Sequence, residues 1–386
     1  MAMRFEFATA MRILFGPGTV REVAPAAKQM GRRALFVTGL PQEQSAPLIN
    51  QLEAAGVTCC SFGIATEPTL DLVRQGVRRA VEEQCELVIG FGGGSAIDAG
   101  KAIAALLTNS GELMEYLEII GQGKALRVPS APFIAVPTTA GTGAEVTRNA
   151  VLAAPEHRVK VSLRSPLMLA RLAVVDPELT LDLPPAITAY TGLDALTQVI
   201  EPYVSSRANP LTDGFCVEGM RCGSRSLRRA YHNGRDVEAR TDMSLASLLG
   251  GLALANAGLG VVHGFAAPLG GMFPAPHGAV CAALLPRGME VNIRALRART
   301  PESESLRRYE EIARLLTGRP NAAAEDGVEW VRAICQELNI PPLSSYGIRE
   351  ADVPVLVEKA SRASSIKANP IELTANELGE VLTHAL

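Results

Sequence analysis

One aspartate, one glutamine and two histidines are the residues of this 386-residue chain whose types and surroundings could hold a metal ion. Asp194 and Gln198 lie four apart in the apolar run Thr191-Gly-Leu-Asp-Ala-Leu-Thr-Gln-Val-Ile-Glu201. A helix there projects both side chains from one face, one turn apart. His263 and His277 are two of only five histidines in the chain. Both fall in glycine-rich apolar segments, Gly258-Leu-Gly-Val-Val-His-Gly-Phe-Ala-Ala-Pro-Leu-Gly270 and Pro274-Ala-Pro-His-Gly-Ala279, where solvated histidines are unexpected. One Asp with two His is a catalytic zinc or iron set that leaves a coordination position open. The structural alternative is a pair of hydrogen-bonded core histidines and an aspartate near a helix start.

The elements that must position these residues fall into two kinds. In the first half, short apolar strands alternate with amphipathic helices, the pattern of a parallel sheet covered by helices. Strands are expected at Arg33–Thr38, Thr58–Phe62, Leu87–Phe91 and Phe133–Pro137, and helices at Ser45–Ala55, Thr69–Gln84 and Ala96–Thr108. Phe5–Phe7 and Arg12–Phe15 read as an opening hairpin, with Gly16-Pro-Gly18 as a turn after it. From about Pro184 alanine- and leucine-rich helical segments take over, so residues 1–184 are expected to form an α/β domain and residues 185–386 an all-α domain. The stretch Thr317–Asp326 reads as a loop.

Composition limits the function classes. At 47% hydrophobic and 20% charged residues the chain can bury a large core. A net charge of -3 offers no broad attraction to nucleic acid or anionic membrane, and neither is expected as a partner. The basic cluster Arg221–Arg229 reads as a solvated helix face. Seven cysteines, with no CxxC pair or zinc-finger spacing, fit reduced thiols and a cytoplasmic protein. The N-terminus lacks the apolar core of a signal peptide.

Gly92-Gly-Gly-Ser95 follows directly on a strand and opens a helix. Glycines there let the backbone approach a pyrophosphate, and the helix start presents free amides and a positive dipole end. Thr138-Thr-Ala-Gly-Thr-Gly143 lies at the end of another strand, where its hydroxyls can bond phosphate, ribose or an amide. The pattern is not GxGxxG, so a standard Rossmann fingerprint is absent.

Taken together, these segments resemble the iron-containing, or group III, alcohol dehydrogenases, relatives of glycerol dehydrogenase and dehydroquinate synthase. The resemblance covers nearly the whole chain. It rests on Gly92-Gly-Gly-Ser-Ala-Ile-Asp-Ala-Gly-Lys101, Val136-Pro-Thr-Thr-Ala-Gly-Thr-Gly-Ala-Glu-Val-Thr147, Val174-Val-Asp-Pro-Glu-Leu179, Thr191-Gly-Leu-Asp-Ala-Leu-Thr197, and the pair Val262-His-Gly264 and Pro276-His-Gly278. It implies a dinucleotide-binding domain, a helical domain and an active site in the cleft between them. By the same resemblance Gly93, Gly94 and Ser95 hold the pyrophosphate, and Thr138, Thr139, Thr142, Thr147 and Lys160 line the rest of the cofactor site. Asn149 then falls near the substrate, and Asp98 and Lys101 complete the motif, with a first-turn cap and a helix-surface residue as their structural alternatives.

Two positions depart from the family. Its iron site has Asp and three His, and the first of those histidines is Gln198 here, a poorer donor to Fe(II) or Zn(II). The histidine four residues after His263, associated with proton relay, is Ala267. Gln198 fits several readings. Asp194, His263 and His277 suffice for a metal, with Gln198 a weak fourth ligand or a group behind the ligands. Alternatively the chain is a metal-independent NAD(P)H reductase of an activated carbonyl, similar to maleylacetate reductases, or a non-catalytic nucleotide-binding relative.

The first reading makes the chain an NAD(P)-dependent alcohol dehydrogenase or aldehyde reductase, with Lys160 and Asn149 as further candidates near the chemistry. Gly39 stands where NAD-using relatives often carry Asp, so repulsion of a 2′-phosphate is removed and NADP(H) is tolerated, with Arg32 and Arg33 close in sequence. Leu252, Leu254, Leu259 and Phe265 suggest an apolar wall for a small primary alcohol or aldehyde. The opening strand could pair across a two-fold axis in a homodimer.

Overall fold

The computed structural model describes residues 4–386, and they divide into two compact units. The α/β unit comprises residues 8–139 and 143–180. Its strands are β1 (Ile13–Phe15), β2 (Arg33–Thr38), β3 (Thr58–Gly63), β4 (Leu87–Gly92), β5 (Phe133–Pro137), β6 (Asn149–Ala154), β7 (Val159–Arg164) and β8 (Leu172–Val175). Its helices are α1 (Val23–Met30), α2 (Gln42–Ala54), α3 (Leu70–Glu82), α4 (Gly94–Thr108) and the single turn α5 (Leu113–Tyr116).

Six strands form one sheet in the order β1-β8-β5-β4-β2-β3, every pairing parallel. All six residues of β4 and all five of β5 are buried, as expected of strands covered on both faces. Helix α4 lies unusually close to this sheet. A Cβ on Gly100 would stand 2.8 Å from the Phe133 ring, and one on Gly90 3.1 Å from the same ring, so both positions must lack a side chain. The order of strand addition reverses between β2 and β4, and their carboxyl ends at Thr38-Gly39 and Gly92-Gly93 mark the switch point where open parallel sheets bind ligands.

The opening hairpin does not form. Strand β1 instead pairs in parallel with β8, Leu14 lying opposite Val174, and residues 5–7 carry no strand. The Gly16-Pro-Gly18 turn is held by Asp176, whose carboxylate accepts from Gly18 N at 3.1 Å and Val20 N at 3.0 Å. Hairpin β6–β7, paired antiparallel from Asn149 with Arg164 to Ala154 with Val159, was not among the expected strands.

The helical unit comprises residues 181–386 with segments 4–7 and 140–142. It contains α6 (Pro185–Val204), α7 (Pro210–His232), α8 (Val237–Ala257), α9 (Val261–Met272), α10 (His277–Arg299), α11 (Glu304–Thr317), α12 (Ala324–Glu337), α13 (Val353–Arg362) and α14 (Ala375–Thr383). Its core runs through Leu193, Val199, Met220, Phe265, Val280 and Leu285, all at most 1% exposed. Phe265 is thus packed inside, whereas Leu254 and Leu259 stay partly exposed. The basic cluster of α7 is a surface face laced by ion pairs, among them Arg225 with Asp242 and Arg228 with Glu337, each at 2.6 Å. No single helix among the described residues is long and apolar enough to cross a membrane.

Candidate metal centre and nucleotide turn

Three helices of the second unit bring the metal candidates together. Asp194 sits in the middle of α6, His263 in the first turn of α9, and His277 begins α10 directly after Pro276. Each approach depends on a missing side chain. A Cβ on Gly260 would meet Glu201 Oε1 at 2.8 Å, and one on Gly278 would meet the Tyr190 carbonyl at 2.4 Å. Glycine at these two positions lets α9 and α10 start against α6.

Asp194 Oδ1 stands 3.4 Å from His263 Nε2 and 3.7 Å from His277 Nε2. Ligands about 2.0–2.2 Å from a tetrahedral ion stand about 3.3–3.6 Å apart, so this spacing already suits a shared cation. Asp194 is 1% exposed, and no donor among the described residues is aligned on its Oδ1. A buried carboxylate oxygen left without a hydrogen bond is costly, and a cation would satisfy it. The residues present therefore fit a divalent ion.

A fourth donor was not anticipated. Cys281, one turn after His277 on α10, places its Sγ 3.7 Å from His277 Nε2 and 3.8 Å from His263 Nε2. Ligand atoms of Asp194, His263, His277 and Cys281 all lie within 4.8 Å of one another. The four-residue spacing of His277 and Cys281 was visible in the sequence, but a search for paired-cysteine motifs passes over it.

Glu201 was also missed. Its Oε2 lies 2.7 Å from His263 Nδ1 and its Oε1 accepts from Val262 N at 2.7 Å. Nδ1 therefore carries the proton toward Glu201 and Nε2 is left facing Asp194, the arrangement of a carboxylate-oriented metal histidine. Its seven-residue spacing from Asp194, two helical turns, was the available signal.

Electrostatics tie the group together. Burial raises the Asp194 carboxyl, but His277 and His263 with Cys281 outweigh it and hold it below the usual carboxylate value. Burial lowers both imidazoles, yet Cys281 and Asp194 keep His277 above its usual value and, with Glu201, hold His263 well above. A divalent cation bound by this group would compete with the protons of the two imidazoles.

Gln198 is 2% exposed and its Nε2 donates to the Gly141 carbonyl at 2.9 Å. Its amide is thus committed to the backbone of segment 140–142, which includes Thr142. Ala267, one turn beyond His263 on α9, is partly exposed and offers no titratable group.

In the α/β unit, Gly93 precedes α4 without a side-chain cap, and Gly94 and Ser95 form the helix start. Gly93 lies against Thr139, where an added Cβ would contact the Thr139 hydroxyl and methyl at 3.4 Å. Thr138 is 3% exposed and its amide donates to the Gly92 carbonyl at 2.9 Å.

Lys101 is not on the helix surface. It is fully buried and its ammonium donates to the carbonyls of Ala144 at 2.7 Å and Asn149 at 2.6 Å and to Thr147 Oγ1 at 3.0 Å. Asp98 is not a simple first-turn cap either, since its Oδ2 accepts from Val151 N on β6 at 3.0 Å. Together they anchor hairpin β6–β7 and the segment before it to α4. Lys160 on β7 pairs with Glu67 at 2.5 Å. Arg33 lies at the opposite end of β2 from Gly39 and binds the Glu83 carbonyl at 2.6 Å, so it cannot serve a phosphate near Gly39. All seven cysteines are free.

A parallel-sheet unit with a glycine turn at its switch point and a helical unit in which Asp194, His263 and His277 converge point to an oxidoreductase of the alcohol dehydrogenase class. Residues 10–177 match the iron-containing alcohol dehydrogenase family, and residues 188–386 match the C-terminal part of the Fe-containing alcohol dehydrogenase family. The chain is 36% identical over 379 residues to alcohol dehydrogenase 4 of Schizosaccharomyces pombe, covering 97% of this chain and 87% of that protein. It is 35% identical over 384 residues to 1,3-propanediol dehydrogenase of Klebsiella pneumoniae, covering 96% of each. A crystal structure of 1,3-propanediol oxidoreductase superposes with a TM-score of 0.92 at 33% identity, covering 100% of both chains. This chain belongs to the iron-containing alcohol dehydrogenase family, whose members use NAD(H) and a metal.

Proposed function

We propose that this enzyme interconverts a small primary alcohol and its aldehyde by hydride exchange with a nicotinamide dinucleotide, at a divalent ion held by Asp194, His263 and His277. The observation that carries the reading is the convergence of these three side chains around the buried, hydrogen-bond-deficient Asp194 Oδ1. Fe(II) or Zn(II) there supplies the Lewis acidity that polarises an aldehyde carbonyl or favours ionisation of an alcohol, while the nicotinamide exchanges the hydride.

The chain's own residues divide the remaining work. Glu201 fixes the His263 tautomer, and Gln198 holds the Gly141 backbone, acting behind the ligands. Gly93, Gly94 and Ser95 offer amides to a pyrophosphate at the positive end of α4. Thr138, Thr139 and Thr142 supply hydroxyls and backbone groups to the rest of the dinucleotide. Asp98, Lys101 and Thr147 support that surface from beneath, since their polar atoms are bonded within the unit. Lys160 is paired with Glu67 and Ala267 has nothing to donate, so the proton of the substrate oxygen is exchanged with water rather than with either side chain. Asn149, at the start of β6, stays assigned near the substrate. NADP(H) is accepted beside NAD(H) because Gly39 carries no charge. The enzyme is a cytoplasmic homodimer in this reading.

The test is NADH and NADPH oxidation against a panel of short aldehydes, before and after chelation and after re-addition of Fe(II) or Zn(II). Aldehyde-dependent oxidation that falls on chelation and returns with the ion is expected. Absence of such oxidation with either ion, or undiminished turnover after chelation, contradicts the proposal.

A further inference from the structure

The family's fourth ligand, a histidine from the α6 position of Gln198, is missing here, yet a different helix offers a replacement. We propose that Cys281 is the fourth protein ligand of the metal, bound as thiolate, and that it makes the site one that selects Zn(II) over Fe(II). This rests on the metal reading given above.

Geometry supports it first. A thiolate sulfur about 2.3 Å and an imidazole nitrogen about 2.0–2.1 Å from a tetrahedral ion are about 3.5–3.6 Å apart. Cys281 Sγ lies 3.7 Å from His277 Nε2 and 3.8 Å from His263 Nε2, within about 0.3 Å of that spacing on both sides. Both imidazoles therefore point at the sulfur and at Asp194 Oδ1 together, with the four ligand atoms mutually within 4.8 Å. His277 and Cys281 are four apart on α10, so one helix face delivers both.

Burial supports it next. Cys281 is 0% exposed, and its sulfur is turned toward two imidazoles and a carboxylate, surroundings that a purely packing cysteine does not have. Gln198, whose Nε2 donates to the Gly141 carbonyl, has only an amide oxygen to offer an ion, a poorer donor than imidazole or thiolate. The ligand count of four is thus recovered with sulfur in place of one imidazole. On binding, the thiol loses its proton to solvent and the sulfur lone pair forms the new bond to the ion.

Two consequences follow from the chemistry of sulfur. A soft thiolate favours zinc over the harder demands of Fe(II) with nitrogen and oxygen donors. With Asp194 and Cys281 both anionic, the protein ligands cancel the charge of a divalent ion, so the ion pulls less strongly on a substrate oxygen than one held by Asp and three neutral His.

Cobalt(II) added to metal-stripped protein provides the test. Visible d–d bands report binding, and a near-ultraviolet thiolate-to-Co(II) charge-transfer band reports sulfur. Both are expected in the native protein; Cys281→Ser should keep the d–d bands, lose the charge-transfer band and bind Zn(II) at least tenfold more weakly in competition with a chromophoric chelator. X-ray absorption at the zinc edge of the native protein needs no variant and should show one sulfur at about 2.3 Å. Cobalt d–d bands without charge transfer, or a zinc shell of nitrogen and oxygen alone, overturns the assignment of Cys281 while leaving the metal site standing. No uptake of either ion overturns both.

Discussion

Glu201 Oε2 and His263 Nδ1 stand 2.7 Å apart, both side chains 7% exposed, and this pair decides which face of the imidazole looks at Asp194. Partners of this kind behind a metal histidine typically contribute 10–100-fold to metal affinity. Glu201→Gln, which can still accept from Val262 N, is expected to weaken Zn(II) binding by about tenfold or more in chelator competition. Unchanged affinity in a folded variant would remove Glu201 from the site.

Loss of a ligand should cost far more than loss of its partner. His263→Ala and His277→Ala each remove one of three converging donors, and an ion contributes several kcal/mol to stabilising charge on the reacting oxygen. A fall of at least about a thousandfold in kcat/KM is expected, each tenfold being about 1.4 kcal/mol. Retention of activity in both variants would support the metal-independent reductase instead.

Glu145 gives a pH signature independent of the metal. It is 2% exposed, and burial pushes its carboxyl up to about 7 against the opposing pull of its own backbone amide and Lys101. Its folded value lies above its unfolded one, so its favourable contribution is complete below about pH 4.5 and is lost as pH rises toward 7. The loss is on the order of 3 kcal/mol. Glu145→Gln should therefore gain stability relative to the native protein between pH 5 and 8 in denaturant titrations, about those values. Parallel pH profiles for the two proteins would show that Glu145 is ionised at no cost.

Gly39 links steric constraint to cofactor choice. A Cβ there would stand 2.7 Å from the Ile64 carbonyl, whose own amide donates to the Thr38 carbonyl at 2.8 Å. Gly39→Asp should thus lower stability by about 1–3 kcal/mol, typical of forced overpacking, while discriminating against NADPH. In the native enzyme kcat/KM for NADPH is expected within about tenfold of that for NADH, a difference of about 1.4 kcal/mol. A preference for NADH of a hundredfold would contradict the role given to Gly39.

The parallel sheet and helical second half were legible because buried strands such as Leu87-Val-Ile-Gly-Phe91 and long alanine-rich runs carry strong local patterns. The opening hairpin failed for a long-range reason: β1 finds its partner in β8 and its turn is held by Asp176. Strands β6 and β7 alternate buried with more exposed residues over much of their length, but the motif ending at Thr147 drew the reading away from them. Asp194, His263 and His277 stood out as polar groups in apolar surroundings. Cys281 and Glu201 did not, because a buried thiol and a helix-end carboxylate look ordinary until folding sets them beside the imidazoles.

Turnover measured against metal occupancy tests the central claim most directly. Protein purified without tag or chelator is stripped, reloaded with graded Zn(II) or Fe(II), and assayed for aldehyde reduction at each measured metal content. Activity proportional to occupancy, extrapolating to zero without metal and saturating near one ion per chain, is expected. Turnover that persists at zero occupancy would contradict catalysis at the Asp194, His263 and His277 site.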